Sequence, residues 1–146
     1  MAIRFTMVAL ADAHCDEDAI ETLAHKRLLQ FYHMGEKKAD FFGHFGCKEC
    51  FQYFGLGTND KYRRMHVASK MFAASNIFLR CFGLNPTYIK GEASNTFSQR
   101  VYEHDGFEFL HEEFYADWEI DGERPLADTG EHKKIRYYGL KAAPIV

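Results

Sequence analysis

The sequence predicts an α/β chain, a mixed sheet of the α+β kind, and three observations predict it. Short apolar stretches with alternating or continuous patterning recur at 3–10, 50–58, 87–93 and twice near the C-terminus. Between them lie segments whose apolar residues recur at helical spacing. Glycines and one proline punctuate the boundaries, and the element order reads β-α-β-α-β-α-β-β.

"IRFTMVAL" at 3–10 reads as a buried strand, with Ile3, Phe5 and Met7 on one face and Val8 and Leu10 on the other. "DAHCDED" offers N-caps and first-turn acids for a helix carrying Ile20, Leu23, Ala24, Leu28 and Phe31, stopped by Gly35. "EKKADFFGHFG" reads as a loop with aromatic anchors. "CFQYFGLGT" at 50–58 is a second strand, where Gly55 and Gly57 suit a bulge or close contact with a ligand. The clearest helix follows, with Val67, Met71, Ala74, Phe78 and Phe82 as its apolar stripe and Gly83 and Pro86 as its end. "TYIKGEA" is a short strand. Ser94 is the expected cap of a helix running through Glu103, with Phe97 and Val101 inward and Gly106 as the stop. "FEFLHEEFYADW" and "KKIRYYGLKA" read as two long strands joined by a polar loop over 119–132.

The 146 residues favour one domain spanning 1–146, and 47% apolar content is ample for its core. A net charge of −3 gives no support for nucleic-acid binding. No apolar run reaches the roughly 18 residues that a membrane span requires. Arg4 and Thr6 interrupt the N-terminal run too early for a signal peptide. Cysteines at 15, 47, 50 and 81 do not form a secreted disulfide pattern, so a reduced, cytoplasmic setting is expected. "HFGCKEC" places Cys47 and Cys50 in a C-x-x-C behind His44, but no second pair completes four zinc ligands. No metal is expected.

The stretch "KYRRMHVASKMF" sets Arg63 and Arg64 where a helix begins. Helix N-termini attract phosphate through free N–H groups and the positive end of the macrodipole. The same residues also suit the solvated first turn of a surface helix, and the glycines usual at phosphate sites are absent. "SNTFSQRVYEHDGFE" is more specific. Asn95, Ser98, Tyr102, Glu103, Gly106 and Phe107 match N-x-x-(S/A)-x-x-x-Y-E-x-x-G-F. With the strand–basic loop–helix unit before it, this resembles the GNAT-type N-acetyltransferase superfamily. The tail "FYADWEIDGERPL" resembles its arylalkylamine (dopamine, serotonin) branch. Resemblance runs from about 50 to 142 and implies a GNAT-like acyl-CoA N-acyltransferase fold.

Two departures accompany the resemblance. The loop matching (Q/R)-x-x-G-x-(G/A) is Arg63–Ala68, and it holds Arg64 and His66 where the branch has glycine. The family also has a strand, two helices and another strand before the point matching residue 1, so the chain reads as N-terminally shortened. The missing part carries the glutamate resembling the branch's general base.

The resemblance implies acetyl transfer from acetyl-CoA, as cosubstrate, to a small primary amine, with an arylalkylamine as the class that the branch resemblance implies. Backbone N–H groups of Arg64, Met65, His66, Val67, Ala68 and Ser69 would hold the diphosphate, with charge-assisted help from Arg63 and Arg64. Backbone near Leu56, Gly57 and Thr58 would bind the thioester carbonyl, and Asn95 and Ser98 fall in the second cofactor motif. Tyr102 is the candidate acid towards the thiolate, since a phenol starts protonated at neutral pH; Ser94 is a weaker catalytic candidate. Tyr102 equally suits a packed aromatic beside Val101. Glu103, His104, His111 and Glu112 are available bases, and spacing selects none. The alternative is a truncated, non-catalytic GNAT fold acting by coenzyme A binding or protein–protein contact. A homodimer through the exposed edge of the 3–10 strand would suit that alternative.

Overall fold

A computed structural model describes residues 2–13 and 19–145. It contains β1 (Ala2–Leu10), α1 (Leu23–Ala39), α2 (Phe41–Phe45), β2 (Glu49–Thr58), α3 (Val67–Arg80), β3 (Thr87–Ala93), α4 (Thr96–His104), β4 (Glu108–Phe114) and β5 (Lys134–Ala142). The five strands form one mixed sheet in the order β1-β2-β3-β5-β4. Among the described residues only the β2–β3 pairing is parallel; the other strand pairings of the sheet are antiparallel.

Adjacent residues of β5 belong to different cores, which shows that both faces of the sheet are covered. Tyr138 packs with Tyr53, Phe72, Leu79, Ile89, Tyr102 and Phe107, on the face that α3 and α4 cover. Ile135 and Tyr137 pack with Phe31, Ala39, Tyr115 and Trp118, on the face of α1. Phe72 is the hub of the first core. Its ring meets Tyr102 at 4.7 Å, Tyr53 at 5.2 Å and Phe107 at 5.3 Å between centroids, all edge-on.

Several sequence expectations are corrected. Gly35 does not stop α1; the helix continues to Ala39 and ends on Asp40 in the left-handed conformation. Gly35 is there because the Tyr137 ring crosses the helix at that point. A Cβ would stand 2.5 Å from Tyr137 Cε2. Thr22 caps this helix by accepting from the His25 N–H, while residues 14–18 of the expected "DAHCDED" start lie outside the described residues. The expected loop over 36–46 is the end of α1 plus the short α2, joined at Asp40, whose side chain caps α2. In α3 the buried face is Phe72, Asn76 and Leu79, and Phe78 and Phe82 are exposed. The apolar stripe missed this face because its centre is polar. The Asn76 side chain accepts from the Tyr53 hydroxyl and donates to Asp105 at 2.9 Å. Asn95, not Ser94, caps α4, and Phe97 points outward while Gln99 and Tyr102 are buried.

β1 is not a buried strand. It is the sheet's edge, and Ile3, Phe5, Met7, Val8 and Leu10 are all exposed.

Candidate functional site

β2 and β3 pair only through Phe51–Ile89, Gln52–Lys90 and Tyr53–Gly91. Beyond that point they part. β3 stays on β5 through Ala93, and β2 stays on β1 through Thr58. The parting coincides with a bulge: Arg4 pairs Leu56 and Phe5 pairs Phe54, which leaves Gly55 unpaired at φ 73°. The bulge anticipated from Gly55 and Gly57 is therefore present, and its left-handed backbone is the reason for glycine at 55.

A cavity of about 380 Å³ fills the fork. One wall is Phe54, Gly55 and Leu56 of β2; the other is Glu92 with Ser94 and Asn95 beyond β3. Ser98 and Tyr102 of α4 and Arg4 of β1 close the α3/α4 side, while Tyr32, His33 and Glu36 of α1 close the other. The cleft thus passes through the sheet from one face to the other.

The structure brings together the sequence candidates Leu56, Ser94, Asn95, Ser98 and Tyr102 as cleft lining. Asn95 and Ser98 are tied to each other, since the Asn95 side chain accepts from the Ser98 N–H at 2.9 Å and the Asn95 carbonyl accepts from the Ser98 hydroxyl at 3.0 Å. The Ser94 carbonyl accepts from Tyr115 at 2.7 Å, which anchors the segment to the α1-side core. Tyr102 stacks on Tyr138 at 4.9 Å with 6° between planes. Its ring is buried among aromatics, and its phenol reaches the cleft. Burial raises its pKa, with the neighbouring Arg4 opposing, so the phenol remains protonated at neutral pH.

Residues 63–69 do not line the cavity; they form the turn beyond β2 and the start of α3. The Arg63 guanidinium pairs Asp60 at 2.7 Å on the surface. Arg64 and His66 adopt φ of 62° and 56°, the left-handed region that favours glycine. The loop therefore keeps a glycine-type backbone at the two positions where the sequence departs from the family pattern. His66 precedes α3 and makes no side-chain cap bond, so the first amides of the helix are not capped by it. Left-handed backbone costs an ordinary residue about 1–2 kcal/mol, and glycine costs about 0.5–1 kcal/mol in chain entropy. Arg64→Gly and His66→Gly are each expected to stabilise the fold by roughly 0.5–1 kcal/mol, read as a higher urea midpoint at unchanged slope.

Sequence reasoning missed Arg4, Glu36 and Glu92. The Arg4 guanidinium lies over Tyr53 at 3.3 Å and Phe72 at 4.2 Å from the ring centroids. Its Nε and one terminal nitrogen are buried without a partner, and burial lowers its pKa against the pull of Tyr102 and Tyr53. These two donors are packed against the rings behind the cleft wall that Arg4 helps to form. Only the register of β1 on β2 shows where Arg4 lands. Glu36 holds Lys90 at 2.9 Å and accepts from Gln52 at 3.2 Å.

The bases that the sequence offered are elsewhere. Glu103 binds Arg136 at 2.7 Å and Tyr138, and Glu112 binds Lys134 and Arg136. His104 contacts Asp105, and His111 contacts Glu113 at 2.7 Å. Among the described residues, no group of three or more His, Cys, Asp or Glu side chains is placed to hold a metal. Cys47 and Cys50 are free thiols, and burial pushes Cys50 up to about 12. No helix among the described residues is long and apolar enough to cross a membrane.

A mixed sheet that forks beside a strand bulge, with a helix after each fork strand, defines the GNAT-type acetyltransferase fold. No family model and no curated protein matches the sequence. Solved structures match closely in shape. Arylalkylamine N-acetyltransferase 2 from Aedes aegypti superposes with a TM-score of 0.85 at 19% identity, over 96% of this chain and 67% of that one. The mosquito arylalkylamine N-acetyltransferase like 5b gives 0.82 at 18% identity, over 96% and 68%. A Drosophila melanogaster polyamine N-acetyltransferase gives 0.76 at 14% identity, over 96% and 68%. The chain spans about two-thirds of the length of these proteins.

Proposed function

We propose that this chain is an acyl-CoA-dependent N-acetyltransferase that moves an acetyl group from acetyl-CoA to a small primary amine, an arylalkylamine being the class suggested by its structural neighbours. The observation that carries the reading is the fork. Two strands that part beside an unpaired Gly55 expose backbone donors and acceptors between them, where an extended thioester arm can lie. The shared fold with N-acetyltransferases supports it.

In this reading the diphosphate meets the first amides of α3 and the basic turn at Arg63 and Arg64. Backbone near Leu56–Thr58 holds the carbonyl as it becomes an oxyanion. The amine nitrogen attacks the carbonyl carbon, a C–N bond forms, and the C–S bond breaks with its electron pair on sulfur. Tyr102 gives its proton to that thiolate and is refilled from solvent. The Arg4 guanidinium lies beside the same phenol and opposes the upward push of burial on its pKa.

Titration with coenzyme A should raise the melting temperature, by the equivalent of about 2.7 kcal/mol when the ligand stands at 100 times its dissociation constant. A thiol-release assay over a panel of arylalkylamines and polyamines should then show turnover. Tyr102→Phe should lower turnover about 100-fold with the coenzyme A titration unmoved. A melting temperature indifferent to coenzyme A removes the proposal.

One observation favours a second reading. The exposed apolar residues of β1 suit pairing with another chain, a second copy included. A non-catalytic GNAT fold of that kind would be left unmoved by coenzyme A or would bind it without releasing thiol.

A further inference from the structure

An ammonium must lose a proton before its nitrogen can attack, and the cleft holds two carboxylates, Glu36 and Glu92. Glu36 is engaged, with Lys90 and Gln52 both on its Oε1. Glu92 is the first residue of β3 past the last β2 pair, at the apex of the fork. Its neighbours Lys90 and Gly91 show its direction by alternation. Gly91 faces Tyr102, while Lys90 reaches Glu36 on α1. Glu92 therefore faces the α1 side, opposite the wall where Tyr102 and Arg4 sit.

We propose that the Glu92 carboxylate is the general base that takes the proton of the incoming ammonium at the apex of the fork, with the amine arriving from the α1 face and the thioester from the α3/α4 face. The inference rests on the acyltransferase reading above. One ammonium proton passes to the Glu92 oxygen and then to solvent. The freed lone pair forms the C–N bond. The second nitrogen proton leaves after attack, balanced by the proton that the thiolate gains, so one proton is released per turnover.

Physical chemistry supports the assignment. Burial, with Glu36 adding like-charge repulsion, raises the Glu92 carboxyl to about 7 against the pull of Lys90 and Gln52. A base poised there is matched to neutral operation. The titratable groups around it are Glu36 and Tyr32 on α1, Lys90 on β3, Tyr137 on β5 and Tyr102 on α4, with His25 and His33 also on the α1 wall. Burial raises the tyrosines well above neutrality.

The test uses the full chain, acetyl-CoA and 2-phenylethylamine, an amine whose ammonium titrates near that of lysine, about 10. Wild-type kcat/KM should rise with pH along a limb centred near 7. Glu92→Gln should lower kcat by a factor on the order of 10²–10⁴, lose that limb and keep its coenzyme A melting shift. Glu92→Asp should recover part of the rate and the limb. An unaltered limb in Glu92→Gln overturns the assignment while leaving the transferase reading intact, whereas failure of the wild type to bind coenzyme A overturns that reading itself. If coenzyme A binds and no amine turns over, the chain is the non-catalytic fold and the assignment falls with the transferase reading.

Discussion

Phe72→Ala is expected to remove about 3–5 kcal/mol of stability, enough to leave a domain of this size largely unfolded in mild urea. The ring has no solvent exposure. It touches Tyr53 of β2, Tyr102 of α4 and Phe107 beyond α4, so it joins α3 to one arm of the fork and to the helix that follows the other. Truncation leaves a cavity that rigid aromatic neighbours cannot fill, and it strips the Arg4 guanidinium of one of its two ring contacts. Urea unfolding followed by tyrosine and tryptophan fluorescence measures the loss. A shift under 1 kcal/mol would mean that α3 is not anchored through this residue.

Gly91→Ala is the second large effect, and it reaches function. The added Cβ would stand 2.9 Å from Tyr102 Cζ and 3.0 Å from Cε1. The Tyr102 ring cannot retreat, because it lies flat on Tyr138 and edge-on to Phe72 and Phe107. Overpacking of this kind costs about 1–3 kcal/mol. The phenol is also pushed from the apex of the cleft, and a misplacement of about 1 Å at a reacting group costs on the order of 100-fold in rate. Turnover per folded molecule should therefore fall at least about tenfold, while the coenzyme A melting shift persists. Stability and turnover both equal to wild type would show that β3 and α4 are too far apart for Gly91 to meet the Tyr102 ring.

The strand and helix order was legible in the sequence because patterning and punctuation are local. Alternation marked β2 and β3, the glycine at 106 ended α4, and the motif from Asn95 to Phe107 pointed to the fold. Three local rules failed for one reason each. Gly35 is a helix stop by propensity, yet a ring 102 positions away requires its missing side chain. Asn76 is polar and so was absent from the apolar stripe, yet it is buried because Tyr53 and Asp105 satisfy it. Arg64 and His66 lack glycine's freedom, yet their backbone takes glycine's conformation.

Residue types by themselves determined that this chain builds a mixed sheet with helices on it, with Asn95 and Ser98 at the start of one helix and Tyr102 near its end. Only tertiary structure decided that β2 and β3 part after Tyr53 and Gly91, that Arg4 swings in from an edge strand, and that Glu92 sits at the apex facing α1. The physical reason is that strand pairing is a relation between distant segments. A bulge of one residue at Gly55 resets which side chains meet across the sheet, and no window along the chain contains both partners.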